Sequence, residues 1–184
     1  AGYIINDYFD LNIDRVNKPD KLVVEKIIKR RWAIIWHLAL SFAGLVISTW
    51  VCIKLFDWHT LLAGTINLLC VIALWLYSTN YKRQLLIGNI LISLLTAWTI
   101  LILYVINTKS LFMTKIFYDI KHNYDMASTK LFKYAVLYAG FAFIISLIRE
   151  VIKDMEDMEG DAKYGCKTMP IVWGIPATKV FTAV

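Results

Sequence analysis

Two short acidic stretches carry side chains whose type and spacing could do chemistry. In Asn6-Asp7-Tyr8-Phe9-Asp10-Leu11-Asn12-Ile13-Asp14, residues Asn6, Asp10 and Asp14 recur every four positions, so on a helix their oxygens share one face. In Asp154-Met155-Glu156-Asp157-Met158-Glu159-Gly160-Asp161, Asp157 and Asp161 repeat that relation, and Asp154, Asp157 and Asp161 follow the three-then-four spacing of Asp7, Asp10 and Asp14. Carboxylates gathered in this way repel one another unless something positive lies between them. A hard divalent cation is the natural partner, and magnesium in particular binds through a few carboxylates plus waters and phosphate oxygens. Two such clusters facing each other would hold magnesium ions that grip a diphosphate from both sides, with nearby Lys and Arg balancing charge on the leaving group. Either stretch alone would read equally well as a solvated helix end; the matched pair is harder to dismiss.

The chain between the stretches decides whether they can meet. Four uncharged apolar runs lie there: residues 33–53, 58–80, 85–106 and the shorter 134–148, whose flanking Lys133 and Arg149 can snorkel to the membrane surface. A spanning helix needs roughly 20 apolar residues, and the expected spans are residues 32–55, 58–80, 85–106 and 131–150. An alternating path through four spans puts residues 7–31, 80–84 and 149–167 on one membrane face and the longer mixed segment 107–130 on the other. Fourteen of the 20 Lys and Arg residues then fall on the first face, which the positive-inside bias makes cytoplasmic. Without using any motif, this parity brings both acidic stretches and the Lys82/Arg83 pair to one side.

Composition supports a bilayer as solvent. The 184 residues are 59% hydrophobic, against about half in an ordinary soluble domain, and the mean hydropathy is +0.57. The net charge of +6 is that of a protein with basic residues beside apolar spans, which report topology and head-group contact rather than nucleic-acid binding. Three cysteines, Cys52, Cys70 and Cys166, lack the paired spacing of a zinc site and read as structural. His37 and His59 have no second ligand at metal spacing and read as packing or interfacial residues. Most of the seven Trp and ten Tyr read as interface anchors, whereas Tyr8, Phe9, Tyr77 and Tyr81 adjoin the proposed site. The chain begins at Ala1 inside one apolar approach and stops at Val184 inside another, so both ends read as cut, and no cleavable signal peptide is visible.

Taken together, Asn-Asp-x-x-Asp-x-x-x-Asp followed by Arg15, Asn17, Lys18 and Pro19, then Tyr81-Lys82-Arg83 and Gly88-Asn89, then Arg149-Glu150 before Asp154-x-x-Asp157-x-x-Gly160-Asp161 and Lys167-Thr168-Met169-Pro170, resemble the UbiA superfamily of intramembrane prenyltransferases. The resemblance runs from end to end. It implies an all-α, polytopic transmembrane bundle, with residues 1–184 a single domain cut from a fold of about nine helices around a central cavity open to lipid. It implies magnesium as cofactor, with Asn6, Asp10, Asp14, Asp157 and Asp161 as metal ligands. It implies Asp10, Asp14, Asp157, Asp161 and Lys82 as the residues that carry the reaction, and Asn6, Arg15, Lys18, Lys82 and Arg83 as diphosphate contacts. Asp7 and Asp154 would flank them.

The resemblance also implies an activity: an enzyme that moves a prenyl group from an allylic diphosphate to a lipid-soluble acceptor within the bilayer, with neither nucleic acid nor an obligatory protein partner. The stretch from Arg149 to Asp157 most resembles the geranylgeranylglycerol-phosphate geranylgeranyltransferase branch, with prenylation of an aromatic quinone precursor as the alternative. A cation transporter is the rival from another class, since intramembrane carboxylates mark ion paths. Against it, the acids are absent from the span centres.

Overall fold

The computed structural model describes residues 2–55, 58–114 and 121–183, and those residues form helices α1 (Gly2–Asn17), α2 (Arg30–Leu55), α3 (Trp58–Thr79), α4 (Ile87–Thr114), α5 (Lys121–Glu156), α6 (Met158–Lys163) and α7 (Met169–Ala183). Single 3-10 turns, Pro19–Lys21 and Tyr81–Arg83, punctuate the connections, and no named strand occurs among the described residues. An all-helical bundle is what lipid demands, because a helix satisfies its own backbone hydrogen bonds where no water can.

Among the described residues, three helical stretches, Arg30–Lys54, Ile87–Val105 and Thr129–Glu156, are long and apolar enough to cross a membrane, and Gly64–Thr79 is a shorter apolar helix. Only 6% of the most apolar window in Arg30–Lys54 is buried by protein. Phe42, Ile47, Trp50, Tyr138 and Ile145 all face outward. In water such a surface would be a large adhesive patch; against acyl chains it is the matched exterior. The chain is an integral membrane protein.

Inside the bundle, polar side chains join the helices. Asn67 on α3 donates to Ser48 Oγ on α2 at 2.9 Å and accepts from Trp98 Nε1 on α4 at 3.1 Å, so one amide ties three helices where small or polar residues hold helices together in lipid. The most extensive helix pair is α4 with α5, while α1 lies against α2, α3 and α6. His37 is buried with its ring 5.6 Å from that of Trp75, a packing position.

Two departures from the sequence reading concern boundaries. Segment 107–130, expected as a mixed connection, is helical at both ends, since α4 continues to Thr114 and α5 begins at Lys121; residues 115–120 lie outside the described residues. The apolar run 134–148 sits within a helix of 36 residues that reaches the second acidic stretch without interruption. Charge marks where lipid ends, but a helix that already satisfies its backbone has no reason to stop there.

Candidate active site

The end of α1 sets one wall of the site. Lys18 precedes Pro19, whose ring disfavours helical geometry at the residue before it, and α1 stops at Asn17. Midway along α1, Asn6 Nδ2 donates to Asp10 Oδ2 at 2.7 Å, so the four-residue spacing does align these groups. Leu11 packs with Val24 and Ala33, which anchors α1, and Leu11 and Val24 border the same cavity that the acids face.

The opposite wall comes from the far end of the chain. Asp154, in the last turn of α5, accepts from Asn89 Nδ2 at 2.8 Å. Asp157 occupies a break between α5 and α6 (φ −94°, ψ 6°), and Asp161 follows on α6, with its N–H still donating to the Asp157 carbonyl at 3.1 Å. The three acids therefore keep helical rise across a kink. The Cys166 N–H donates to the Asp161 carbonyl at 2.9 Å, giving that buried cysteine a place beside the site.

Asn17 joins the two walls. Its Nδ2 donates to the Asp157 carbonyl at 2.9 Å, and its Oδ1 accepts from the Gly160 N–H at 2.7 Å. A Cβ at Gly160 would stand 2.6 Å from the Asn17 amide, closer than any side chain tolerates, so glycine is what permits the approach. Gly160→Ala is expected to destabilise the protein, and Asn17→Ala to cost about 1–3 kcal/mol through the two lost hydrogen bonds. Because the added methyl meets the Asn17 side chain, Gly160→Ala should cost less in an Asn17→Ala background than alone. Thermal unfolding of the four variants in detergent measures this, and strict additivity would show the contact to be absent.

Between the walls is a cavity of about 210 Å³ lined by Asn6, Asp7, Asp10, Leu11, Ile13, Asp14, Lys18, Leu22, Val23, Val24, Tyr77, Lys82, Glu150, Lys153, Asp154, Asp157 and Asp161. Seven carboxylates face three lysines there, a formal excess of four negative charges. Lys82 pairs with Asp10, which is only 5% exposed, and Lys18 pairs with Asp157 at 2.6 Å. The Lys82 backbone is placed by a tight corner: a Cβ at Gly88, at the start of α4, would lie 2.8 Å from Lys82 Cα.

The electrostatics follow from burial and crowding. Burial, then the negative charges of Asp7 and Asp157, push the Asp14 carboxyl up to about 6, and burial raises Asp161 as well. Burial, then the like charge of Lys153, brings the Lys82 ammonium down to about 8. Burial also opposes the charge on Lys18, but its hydrogen bond and ion pair with Asp157 outweigh this and hold it above the ordinary lysine value.

Of the expected residues, Asn6, Asp10, Asp14, Lys18, Lys82, Asp157 and Asp161 line this cavity, with Asp7 and Asp154 beside them. Arg15 and Arg83 do not. Arg15 points outward and pairs with Glu25. Arg83 is exposed and contributes its backbone carbonyl, which accepts from the Lys167 N–H at 2.8 Å. Among the four aromatics expected to adjoin the site, Tyr77 lines it, whereas Tyr8 lies under the Arg30 guanidinium at 4.4 Å and Phe9 stacks edge-on with Trp75. Tyr81 is not part of the lining. Glu150, Lys153, Asn89 and Asn17 were missed as site residues. Glu150 and Lys153 stand one helical turn before Asp154 and Asp157, a spacing that signals a shared face.

Among the described residues no three acidic, His or Cys side chains converge as a ready-made metal cage. The donor set nevertheless suits a hard cation that brings its other ligands with it. Asn6 Oδ1 is buried with no hydrogen-bond partner, and Asp10 Oδ1 and Asp157 Oδ1 meet lysine ammonium groups without hydrogen-bond geometry. Buried oxygens left in this state cost free energy that a cation removes.

Known proteins are similar to this chain along nearly all of its length. Digeranylgeranylglyceryl phosphate synthase of Thermococcus gammatolerans is 32% identical over 174 residues, covering 95% of this chain and 52% of that protein. The synthase of the same name from Methanobrevibacter smithii is 32% identical over 178 residues, covering 95% of this chain and 54% of its own. A solved structure from work on digeranylgeranylglyceryl phosphate synthase in membranes matches with a TM-score of 0.53 at 29% identity, over 98% of this chain and 54% of that one. The chain thus spans about half the length of the curated relatives it matches. The UbiA prenyltransferase family matches residues 1–184, every residue of the sequence, and with its helical bundle and paired acidic motifs the chain belongs to that family.

Proposed function

We propose that this protein transfers a geranylgeranyl group from its diphosphate to geranylgeranylglyceryl phosphate, in a magnesium-dependent reaction at the cytoplasmic face of the membrane. The observation that carries the reading is the convergence of both acidic motifs, with Lys18 and Lys82, on one cavity at an end of an apolar bundle. The names of the relatives support the acceptor. The concentration of Lys and Arg in the connections on that side supports the cytoplasmic face.

Asn6, Asp10, Asp14, Asp157 and Asp161 are the residues that would hold magnesium. Bound there, it supplies Lewis-acid stabilisation of charge developing on the departing diphosphate. The remaining work belongs to the chain. Lys18 and Lys82 add fixed positive charge where the leaving group sits, which favours the transition state over the bound substrate. Leu11, Leu22 and Val24 line the cavity with apolar surface that keeps water from an allylic cation. The allylic carbon–oxygen bond breaks as diphosphate leaves with the electron pair, and an acceptor hydroxyl oxygen forms the new ether bond and gives up its proton to the released diphosphate.

The test supplies the intact protein in detergent with radiolabelled geranylgeranyl diphosphate, magnesium and a panel of acceptors. Label is expected in the glycerophosphate product. Label in an aromatic product instead would move the protein to quinone-precursor prenylation, and transfer to no acceptor would overturn the reading.

A further inference from the structure

A second cavity of about 440 Å³ adjoins the acidic one and shares four of its lining residues, Asn6, Tyr77, Glu150 and Lys153. Its character is different. Arg149 and Lys153 outnumber the single acid Glu150, so the formal charge is positive where that of the acidic cavity is strongly negative. The Arg149 side chain is 62% exposed and only loosely held, with Nη2 at 3.4 Å from Tyr3 Oη and 3.7 Å from Glu150 Oε1. Most of its donors are left for a ligand.

Away from that rim the wall is apolar in effect. Leu74, Ile92 and Leu95 supply hydrocarbon directly. Ser78, Thr96 and Thr99 also line it, yet each hydroxyl donates to a carbonyl of its own helix: Leu74 at 3.0 Å, Ile92 at 3.0 Å and Thr96 at 2.7 Å. With those protons committed, polar recognition is confined to the rim. A pocket with a cationic rim and an apolar wall fits an amphiphile carrying an anionic head.

We infer that this second cavity is the acceptor site, that it takes a phosphate-bearing amphiphile, and that Arg149 is the residue that grips the phosphate, with Lys153 beside it. The inference rests on the prenyl-transfer reading above and adds the site at which one substrate is selected. Two anions must be held close together, and the charge contrast sorts them. A diphosphate cannot enter a cavity with four excess negative charges until cations neutralise them, whereas a phosphate monoester meets a rim that is already positive. The two ligands then face each other across Asn6 and Tyr77, where an acceptor hydroxyl and an allylic carbon have to meet. A guanidinium suits the phosphate because its planar fork bonds two oxygens at once.

The test measures binding as well as turnover in the intact protein. In excess EDTA, geranylgeranylglyceryl phosphate should still bind at equilibrium while geranylgeranyl diphosphate does not, and Arg149→Gln should weaken acceptor binding about 10- to 100-fold, the loss expected for hydrogen bonds to a charged group. In steady state the same variant should raise KM for the acceptor and leave KM for the donor unchanged. Arg149→Lys should recover part of the affinity, and the preference for the phosphorylated acceptor over neutral geranylgeranylglycerol should narrow in Arg149→Gln. An equal rise in donor KM would assign Arg149 to the diphosphate and overturn the inference. So would unchanged acceptor binding accompanied by altered stabilisation from bulk phospholipid, which would make the cavity a bilayer-lipid site. Failure of the prenyl-transfer reading shows separately, as absence of product with wild-type protein at saturating substrates.

Discussion

Asp157→Ala is expected to lower turnover by orders of magnitude, while Glu156→Ala, one residue away, leaves it close to that of the parent. Asp157 lines the acidic cavity and is ion-paired with Lys18, whereas Glu156 is exposed at the end of α5 and is not part of that lining. Adjacent helical positions differ by about 100° around the axis, which is enough to separate a ligand from a bystander at the same membrane depth. Loss of Asp157 removes one proposed metal ligand and leaves Lys18 without its carboxylate, so several kcal/mol of transition-state stabilisation are at stake, at about 1.4 kcal/mol per factor of ten. Asp10, Asp14 and Asp161 should behave like Asp157. Expression and membrane insertion should survive all of these changes, because none touches the lipid-facing apolar surface. The measurement is kcat at saturating magnesium, and equal activity of the Asp157 and Glu156 variants would sink the site assignment even in a protein shown to transfer prenyl groups.

Excess EDTA should abolish turnover, and magnesium or manganese should restore it. Seven carboxylates and three lysines already leave the cavity strongly negative before a diphosphate arrives, so the substrate is repelled unless cations enter with it. The same crowding gives the requirement a pH dependence. With the Asp14 carboxyl raised to about 6, protons compete with metal as the pH falls through that value, and the magnesium concentration for half-maximal rate should rise there. Above it the carboxylate is ionised and the requirement should level off. Titration of activity against magnesium at several pH values measures both effects, and full activity in metal-free buffer would remove the mechanism.

How much of this could be read in the sequence depends on whether an interaction is local along one helix. The shared face of Asn6, Asp10 and Asp14 is a matter of period alone, and it was legible. So was the choice between Arg15 and Lys18, although naming both as phosphate contacts left the signal unused: Lys18 is four residues after Asp14 and falls on its face, whereas Arg15 is turned away and pairs with Glu25. Glu150 and Lys153 could have been found by stepping back one turn from Asp154 and Asp157. The partners of Asn89 and Asn17 could not, because Asp154 and Gly160 are brought to them by packing of helices distant in sequence. The helical character of four long apolar segments was equally plain, but their ends were not, since composition records where lipid stops and hydrogen bonding decides where a helix does.

The bridge from Asn17 to Asp157 and Gly160 joins residues 140 and 143 positions apart, and helices α2 to α5 lie between them in the chain. That separation sets an order of assembly. Closing so long a loop costs only a little more entropy than closing a short one, because the cost grows with the logarithm of its length, but it cannot happen until the last helix of the loop has been delivered. A nascent chain that has inserted α1 to α4 therefore carries one acidic face with no counterpart. Under the proposed reaction, such a half-made protein lacks Asp157, Asp161 and the far wall of the cavity, so it would hold only half of the residues proposed to ionise the donor.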